Sequence, residues 1–189
     1  MIRVNDRYSS GIRVVAHSPE WARQFEVVAG ELAAILAGVP VDAIEHVGST
    51  SVAGLPAKPL LDVDVVVQRR HIANAIRALE LGGYVHCGDL GLADREALTA
   101  PDERPSRSVY LCVADTLHLR NHLAVRDVLR ARSDLHDRYG AVKQHLAREP
   151  GMTIDRYIAG KSAVLQEILA ASTLTEEERR LILEVNVGP

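Results

Sequence analysis

One eight-residue segment constrains the fold of this chain more than any other. Residues 60–67 read Leu-Leu-Asp-Val-Asp-Val-Val-Val, and this run of aliphatic residues predicts a strand at the centre of a sheet. Because side chains alternate along a strand, Asp62 and Asp64 share one face, and Val63 and Val65 share the other. Two carboxylates on one face of a central strand require a cation, a proton or a cavity. On an edge strand they would only face solvent.

A glycine–serine turn precedes the acidic strand. Residues 43–47 predict a short strand, which runs directly into Gly48, Ser49, Thr50 and Ser51. Glycine lets the backbone approach a phosphate closely, and the hydroxyl and amide groups after it can donate hydrogen bonds to phosphate oxygens. We therefore expect these four residues to bind a nucleotide.

Asp62 and Asp64 are the expected metal ligands and catalytic residues. Mg²⁺ prefers carboxylate oxygens and can join two such side chains to the oxygens of a triphosphate. A Gly-Ser pair or an Asp-x-Asp strand alone is a weak signal, but the two at this spacing favour a site for ATP and Mg²⁺.

Three basic residues are further candidates for nucleotide binding. Lys58 could neutralise a phosphate or be an exposed loop lysine. Arg126 could hold a phosphate through two hydrogen bonds or form a structural ion pair with Asp127. Lys161 could reach an anion or extend past an apolar face to solvent. A weak additional signal is a Tyr-x-x-x-Lys pattern that occurs twice, at residues 139–143 and 157–161.

The other elements follow from hydrophobic spacing and from capping and breaking residues. A first helix has Ser18 as its cap and ends at the turn 38–40. Expected next are a helix at 71–81, a strand at 84–87, a loop-rich stretch at 88–108, a strand at 108–113, helices at 119–132, 135–148 and 154–172, and a last short helix opened by a capping box at 175–178. The pattern predicts an α/β (α+β) fold with a mixed sheet flanked by helices and a helical C-terminal part.

Composition and charge exclude several classes of protein. The chain has 189 residues, of which 47% are apolar, and a net charge of −3, so nucleic acid is not an expected partner. Its two cysteines form no C-x-x-C pair, which argues against zinc and a disulfide framework. No apolar run approaches the roughly 20 residues that cross a bilayer, and no signal peptide is evident. We expect a cytoplasmic protein without a membrane partner; its oligomeric state stays open.

These motifs resemble the GrpB family of the nucleotidyltransferase superfamily, which also occurs as the C-terminal domain of some dephospho-CoA kinases. The matching stretches are residues 18–25, 46–62, 82–84, 123–130, 139–143 and 157–161. The resemblance implies a mixed sheet with a nucleotide site at the Gly-Ser turn. It also suggests three regions, which are a flexible tail at 1–13, the GrpB-like domain at 14–172 and a helical extension at 173–189.

The chain also departs from the pattern of that superfamily. Nucleotidyltransferases commonly have a third carboxylate on a neighbouring strand, and residues 108–113 supply none. Relatives often have histidines on this strand, where the chain has Tyr110 and Cys112. The acidic residues that could substitute are Asp94, Asp102, Glu103 and Asp115.

Two functions therefore stay open. One is Mg²⁺-dependent transfer of AMP from ATP to an unknown acceptor, with Lys58 and Arg126 stabilising the developing charge. The other is a non-catalytic binding or folding-accessory module, like the domain appended to dephospho-CoA kinases.

Overall fold

A computed structural model describes residues 12–187, and the side chains as far as residue 184. At its centre is a five-stranded mixed sheet. The strands are β1 (Ala43–Val47), β2 (Leu61–Val67), β3 (Val85–His86), β4 (Arg95–Thr99) and β5 (Arg107–Val113), in the spatial order β1-β2-β5-β4-β3. The central pair β2 and β5 is parallel, and the other neighbouring pairs are antiparallel.

Helices flank the sheet and dominate the C-terminal half of the chain. They are α1 (Glu20–Ile35), α2 (Ile72–Leu81), α3 (Leu117–Ala131), α4 (Ser133–Arg148), α5 (Ile154–Gly160), α6 (Ser162–Ala170) and α7 (Glu176–Val187), with short 3₁₀ turns at Ser49–Ser51 and Arg69–His71. This architecture confirms the α/β class expected from the sequence. None of the described helices is long and apolar enough to span a membrane.

The two faces of β2 bury different surroundings. Val63 and Val65 join the main core, which includes Leu32 of α1 and Leu79 of α2. On the opposite face, Val66 packs with Cys112 and Leu119 in a smaller cluster beneath α3. Asp62 and Asp64 belong to this second face, so the helical half of the chain covers the carboxylates.

The C-terminal helices pack on one another as well as on the sheet. Leu174 and Ile182 bury α7 against Leu169 of α6. The predicted capping box begins α7: the Thr175 amide donates to Glu178 Oε2 at 2.8 Å, and the Glu178 amide donates to Thr175 Oγ1 at 3.2 Å.

The structure corrects two predicted elements. The stretch 88–108 was expected to be loop, yet it contains β4, whose Ala97 and Leu98 are buried through pairing with β5. The helix expected over 154–172 is broken between α5 and α6. At Gly160 a β-carbon would lie 2.6 Å from Leu146 Cδ2, so glycine allows α5 to pack closely on α4 before the chain changes direction.

Candidate functional site

The Gly-Ser turn packs directly on the first aspartate of β2. Antiparallel pairing sets Val47 opposite Asp62, so Gly48 comes next to the Asp62 carboxylate. Gly48 has φ +66° and ψ −171°, a conformation that is essentially restricted to glycine. A β-carbon at this position would lie 2.1 Å from Asp62 Oδ2. Glycine is thus required both by the backbone and by the carboxylate.

Side chains within the turn hold its shape. Ser51 Oγ donates to the Gly48 carbonyl at 2.7 Å, and Thr50 Oγ1 donates to the Leu60 carbonyl at 3.2 Å. His46 Nε2 lies 3.1 Å from Thr50 Oγ1, and its ring stacks on Phe25 with centroids 4.6 Å apart. Burial, followed by the charges of two nearby arginines, lowers the pKa of His46 to about 4. The buried imidazole is therefore neutral, and the hydroxyls of Thr50 and Ser51 support the turn.

Asp64 is the fully buried member of the aspartate pair. Its Oδ2 lies 2.7 Å from His122 Nδ1 on α3, and its Oδ1 has no hydrogen-bond partner among the described residues. Burial opposes the charge of His122, but the hydrogen bond to Asp64 and the charges of Asp64 and Asp62 together outweigh burial and raise the pKa of this histidine. His122 and Asp64 form an ion pair that leaves one carboxylate oxygen unused.

Asp62 is more exposed and has no hydrogen-bond partner among residues 12–184. Burial raises its pKa to about 6, and the neighbouring Asp64 adds to this shift; His122, Lys58 and Lys161 act in the opposite direction. Near neutral pH the carboxylate is mostly charged, and burial is the main factor that disfavours its charge.

All three lysines of the chain surround this carboxylate site, although they come from distant parts of the sequence. Lys58 lies in the loop before β2, Lys143 on α4, and Lys161 at the break between α5 and α6. Every other cationic side chain apart from histidine is an arginine, and these are distributed over the whole chain. The concentration of lysine at one place is the strongest chemical signal in the molecule.

The repeated Tyr-x-x-x-Lys pattern supplies two of these lysines together with their platforms. The Lys143 ammonium lies 4.5 Å from the centroid of the Tyr139 ring. The ammoniums of Lys161 and Lys58 lie 4.7 and 5.9 Å from the centroid of Tyr157. Cation–π contacts of this kind hold an ammonium without neutralising it.

Tyr139 also connects the lysines to the turn. Its hydroxyl lies near Ser49, and burial raises its pKa to about 12, so the phenol stays neutral. Ser49 therefore lies near the lysine cluster, whereas the neighbouring hydroxyls of Thr50 and Ser51 face the backbone.

The lysines depress one another's proton affinity. Lys143 is only 2% exposed, and its Nζ has no hydrogen-bond partner among the described residues. Burial, Lys161 and Lys58 lower the pKa of Lys143 to about 7, while burial and Lys58 lower the pKa of Lys161 to about 8. An anion bound here would restore the charge on both amines.

Arg126 is separate from this cluster. Its guanidinium donates to Glu45 Oε2 at 2.6 Å, to Asp127 Oδ1 at 2.8 Å and to the His46 carbonyl at 3.2 Å. Arg130, one turn later, donates to the Ser51 carbonyl at 2.8 Å. These two arginines attach α3 to β1 and to the turn, which is the structural alternative that the sequence left open for Arg126.

No third carboxylate joins the aspartate pair. The register of β5 sets Ser108 opposite Asp62 and Tyr110 opposite Asp64. Of the four acids considered, Asp94 pairs with Arg69 and Asp102 with Arg107, and residues 12–184 contain no cluster of three or more His, Cys, Asp or Glu suited to a metal ion.

The side chains present fit one divalent cation but not a pair. The unpartnered Oδ1 of Asp64 and the free carboxylate of Asp62 are two hard oxygen donors on one face of β2. One Mg²⁺ held by two carboxylates, with phosphate oxygens and water completing its shell, is a common arrangement. The usual two-ion site needs a further acid that is not present here.

Three residues of this site were not among the site residues predicted from the sequence. Lys143 and Tyr139 carried a weak signal, because the same four-residue spacing recurs around Lys161. No pattern in the sequence indicated a role for His122. Its ion pair with Asp64 joins positions 58 residues apart and has no local signature.

The structure thus defines a mixed-sheet α/β protein with a lysine cluster beside two aspartates, and comparison with known proteins identifies its family. Residues 11–171 match the GrpB protein family, and the chain belongs to it. The protein YqkA of Bacillus subtilis is 26% identical over 151 residues, or 79% of this chain and 44% of YqkA. The protein BH1888 of Halalkalibacterium halodurans is 29% identical over 170 residues, or 89% of this chain and 86% of BH1888.

A solved structure supports the same assignment. The conserved protein GrpB from Enterococcus faecalis superposes with a TM-score of 0.72 at 31% sequence identity, covering 84% of this chain and 98% of that chain. Family membership, expected from the sequence motifs, is confirmed.

Proposed function

We propose that this protein binds the triphosphate of a nucleotide, with ATP as the expected ligand, at the lysine cluster beside the Gly-Ser turn. The observation that carries the proposal is Lys143, a buried ammonium without a hydrogen-bond partner among the described residues, next to the only other lysines of the chain. Burying a cation without a counter-charge is costly, and an anion of several charges would offset that cost. A triphosphate supplies such charges in a row.

Each part of the site has a role in holding the nucleotide. Ser49 and the amides of the turn would donate to phosphate oxygens at one end. The three lysines would neutralise the terminal phosphates. Asp62 and Asp64 would repel phosphate unless a cation lay between them, so they would hold Mg²⁺, which when bound neutralises and orients the phosphates.

Transfer of AMP is the reaction that such a site would support. An acceptor oxygen would form a bond to the α-phosphorus while the bond from that phosphorus to the bridging oxygen breaks. Pyrophosphate would leave with the electron pair, and the acceptor's proton would pass to water. Lys58 and Lys161, beside Asp62, would stabilise the charge that develops on the leaving group.

One observation favours a second function, a non-catalytic nucleotide-binding or accessory module. Ser108 and Tyr110 occupy the β5 positions opposite the two aspartates, where a third acid would be expected. A site with two carboxylates can retain nucleotide without the second ion that assists transfer. The appended domains of dephospho-CoA kinases are a precedent for such a role.

Calorimetric titration with ATP and Mg²⁺ tests the binding proposal. Lys143→Met should weaken binding by about tenfold or more, because a charge-assisted contact is lost. Arg148→Met is the matched control: it also replaces a cationic side chain with methionine, on an exposed residue of the same helix, and ATP affinity should be unchanged. Equal affinities for wild type and Lys143→Met, or no binding at millimolar ATP, would refute the site.

Turnover separates the two functions. ATP labelled at the α-phosphate, incubated with the protein and a cell extract depleted of macromolecules, should give labelled product and stoichiometric pyrophosphate if the protein is a transferase. Tight ATP binding without pyrophosphate release under any acceptor mixture would favour the accessory module.

A further inference from the structure

A second cavity lies beyond the Asp64–His122 pair. It has a volume of about 500 Å³ and is bounded by β4, the first turns of α3 and one side of α7. Its volume lies within the range of about 300–1,000 Å³ typical of small-molecule sites. His122 forms part of its wall, so the cavity adjoins the aspartate pair.

Three polar side chains line this cavity without a described hydrogen-bond or ion-pair partner. Arg95 lies with its guanidinium carbon 4.5 Å from the centroid of Tyr110, and its buried Nε is unsatisfied. His118 and Asn121 on α3 complete the set. Buried polar groups in folded proteins are almost always paired, so the unsatisfied Nε of Arg95 indicates a ligand that pairs with it, and the partly exposed His118 and Asn121 could add further hydrogen bonds.

Apolar side chains form a further part of the wall. Leu92, Leu117 and Leu181 line the cavity, and Leu181 and its neighbours on α7 close it on one side. An arginine at one point and leucines around it suit a ligand with one anionic group on an apolar body.

Arg95 is the strongest attachment point for an anion in this cavity. Glu184, at the rim, shares the guanidinium of Arg180 with Glu177, at 2.9 and 2.6 Å. Arg95 has no described ion-pair partner, and its planar guanidinium matches the two oxygens of a carboxylate.

We propose that this cavity is the acceptor subsite and that it binds a small carboxylic acid, whose carboxylate pairs with Arg95 and whose apolar body packs on the leucines. The acceptor role rests on the proposed function, because it takes the lysine cluster as the nucleotide end of the same site. Binding of the acid does not depend on that function. The two aspartates would then lie between the nucleotide and its acceptor.

Calorimetry with sodium benzoate tests the subsite, and benzamide is the control of the same shape without charge. Benzoate should bind at least about tenfold more tightly than benzamide, and Arg95→Gln should remove that preference. Asn121→Ala should also weaken benzoate binding. Because Asn121 lies on α3 and Arg95 on β4, this variant gives a second test in case Arg95→Gln impairs folding. Equal affinity for benzoate and benzamide, or full retention of the preference in both folded variants, would overturn the acid site.

Titrations with ATP distinguish the acid site from the proposed nucleotide site. Lys143→Met should leave benzoate affinity unchanged, and ATP with Mg²⁺ should bind the benzoate-saturated protein at least as tightly as the free protein. Competition between benzoate and ATP would overturn the acceptor assignment. Benzoate bound through Arg95 by a protein that binds no ATP would refute the nucleotide function and the acceptor role while establishing the acid site.

Discussion

At the scale of single residues, the site is defined by charges that lack their partners. Lys143 has a buried ammonium without a described hydrogen bond, and Asp64 has one buried oxygen in the same condition. Folded proteins seldom leave such groups unpaired unless they have a function, because each one lowers stability. Removing them should therefore separate stability from binding.

Lys143 should make the folded state less stable at pH 7 than at pH 9. Its pKa is about 7 in the folded protein and about 10.4 in an unfolded chain, so the unfolded state binds more protons between these values. Stability therefore rises with pH across this window, by about 2 kcal/mol from pH 7 to pH 9. Urea unfolding of wild type and Lys143→Met at both pH values would measure this, since the variant lacks the contribution.

The same experiment has an internal control. The difference in the free energy of unfolding between Arg148→Met and wild type should be the same at pH 7 and pH 9, because arginine stays charged at both pH values. If the free energy of unfolding changes equally with pH in Lys143→Met and in wild type, then Lys143 is not a buried ammonium without a partner, as the proposed site requires.

The ion pair between His122 and Asp64 should contribute strongly to stability. His122→Ala leaves the Asp64 carboxylate buried without its partner, which should cost roughly 3 kcal/mol. The double variant His122→Ala with Asp64→Asn should lose less stability than the sum of the losses of the two single variants, because the buried charge is gone.

His118→Ala is the matched control for this ion pair. His118 lies one turn earlier on α3 and has no described hydrogen bond, so the change should have a small effect on urea unfolding. Additive losses for His122 and Asp64, or equal losses for both histidines, would contradict the assignment of the pair.

At the scale of elements, the position of the turn depends on one glycine. Gly48→Ala should lower the free energy of unfolding by about 3 kcal/mol and abolish ATP binding, because φ is +66° and the new β-carbon would overlap Asp62. Gly38→Ala is a suitable control, since Gly38 has no positive φ and a β-carbon there would have no neighbour within 4 Å. Denaturant unfolding and calorimetry of both variants would decide; wild-type binding by Gly48→Ala would show that the turn does not approach the ligand.

Elements with strong local patterns were predictable from the sequence. The strand β2 was evident because its Val and Leu residues need burial on both faces of the strand. Its two aspartates were evident because they are the only polar residues in this segment. The capping box of α7 was evident because its two hydrogen bonds lie within four residues. By contrast, β4 is short and only half apolar, and it exists because β5 offers it an edge.

The composition of the site was predictable only in part, for the same reason. Ser49 and Asp62 are joined by the local turn and by β1–β2 pairing, which spacing reveals. Lys143 and Lys161 reach them through the packing of α4 and α5, and Tyr139 lies near Ser49 across 90 positions of the chain. Contacts of this length depend on helix packing, which no local pattern encodes.

At the scale of the whole molecule, we expect the fold to be stable without nucleotide or metal. The main core is built from aliphatic residues of α1, α2 and the central strands, and the described part of the chain has no cluster of metal ligands that holds elements together. Nucleotide and Mg²⁺ should therefore act on stability only by binding to the folded state.

This leads to an expected pattern of melting temperatures. A chelator should leave the melting temperature of the free protein unchanged. ATP with Mg²⁺ at about 100 times its dissociation constant should stabilise the protein by about 2.7 kcal/mol, or roughly 5–10 °C for a chain of this size. Asp62→Asn should reduce the part of this increase that depends on Mg²⁺, because Asp62 supplies a free carboxylate without supporting other described residues. Unfolding by the chelator alone would show a structural metal instead, and an equal response to ATP with and without Mg²⁺ would remove the two aspartates from the nucleotide site.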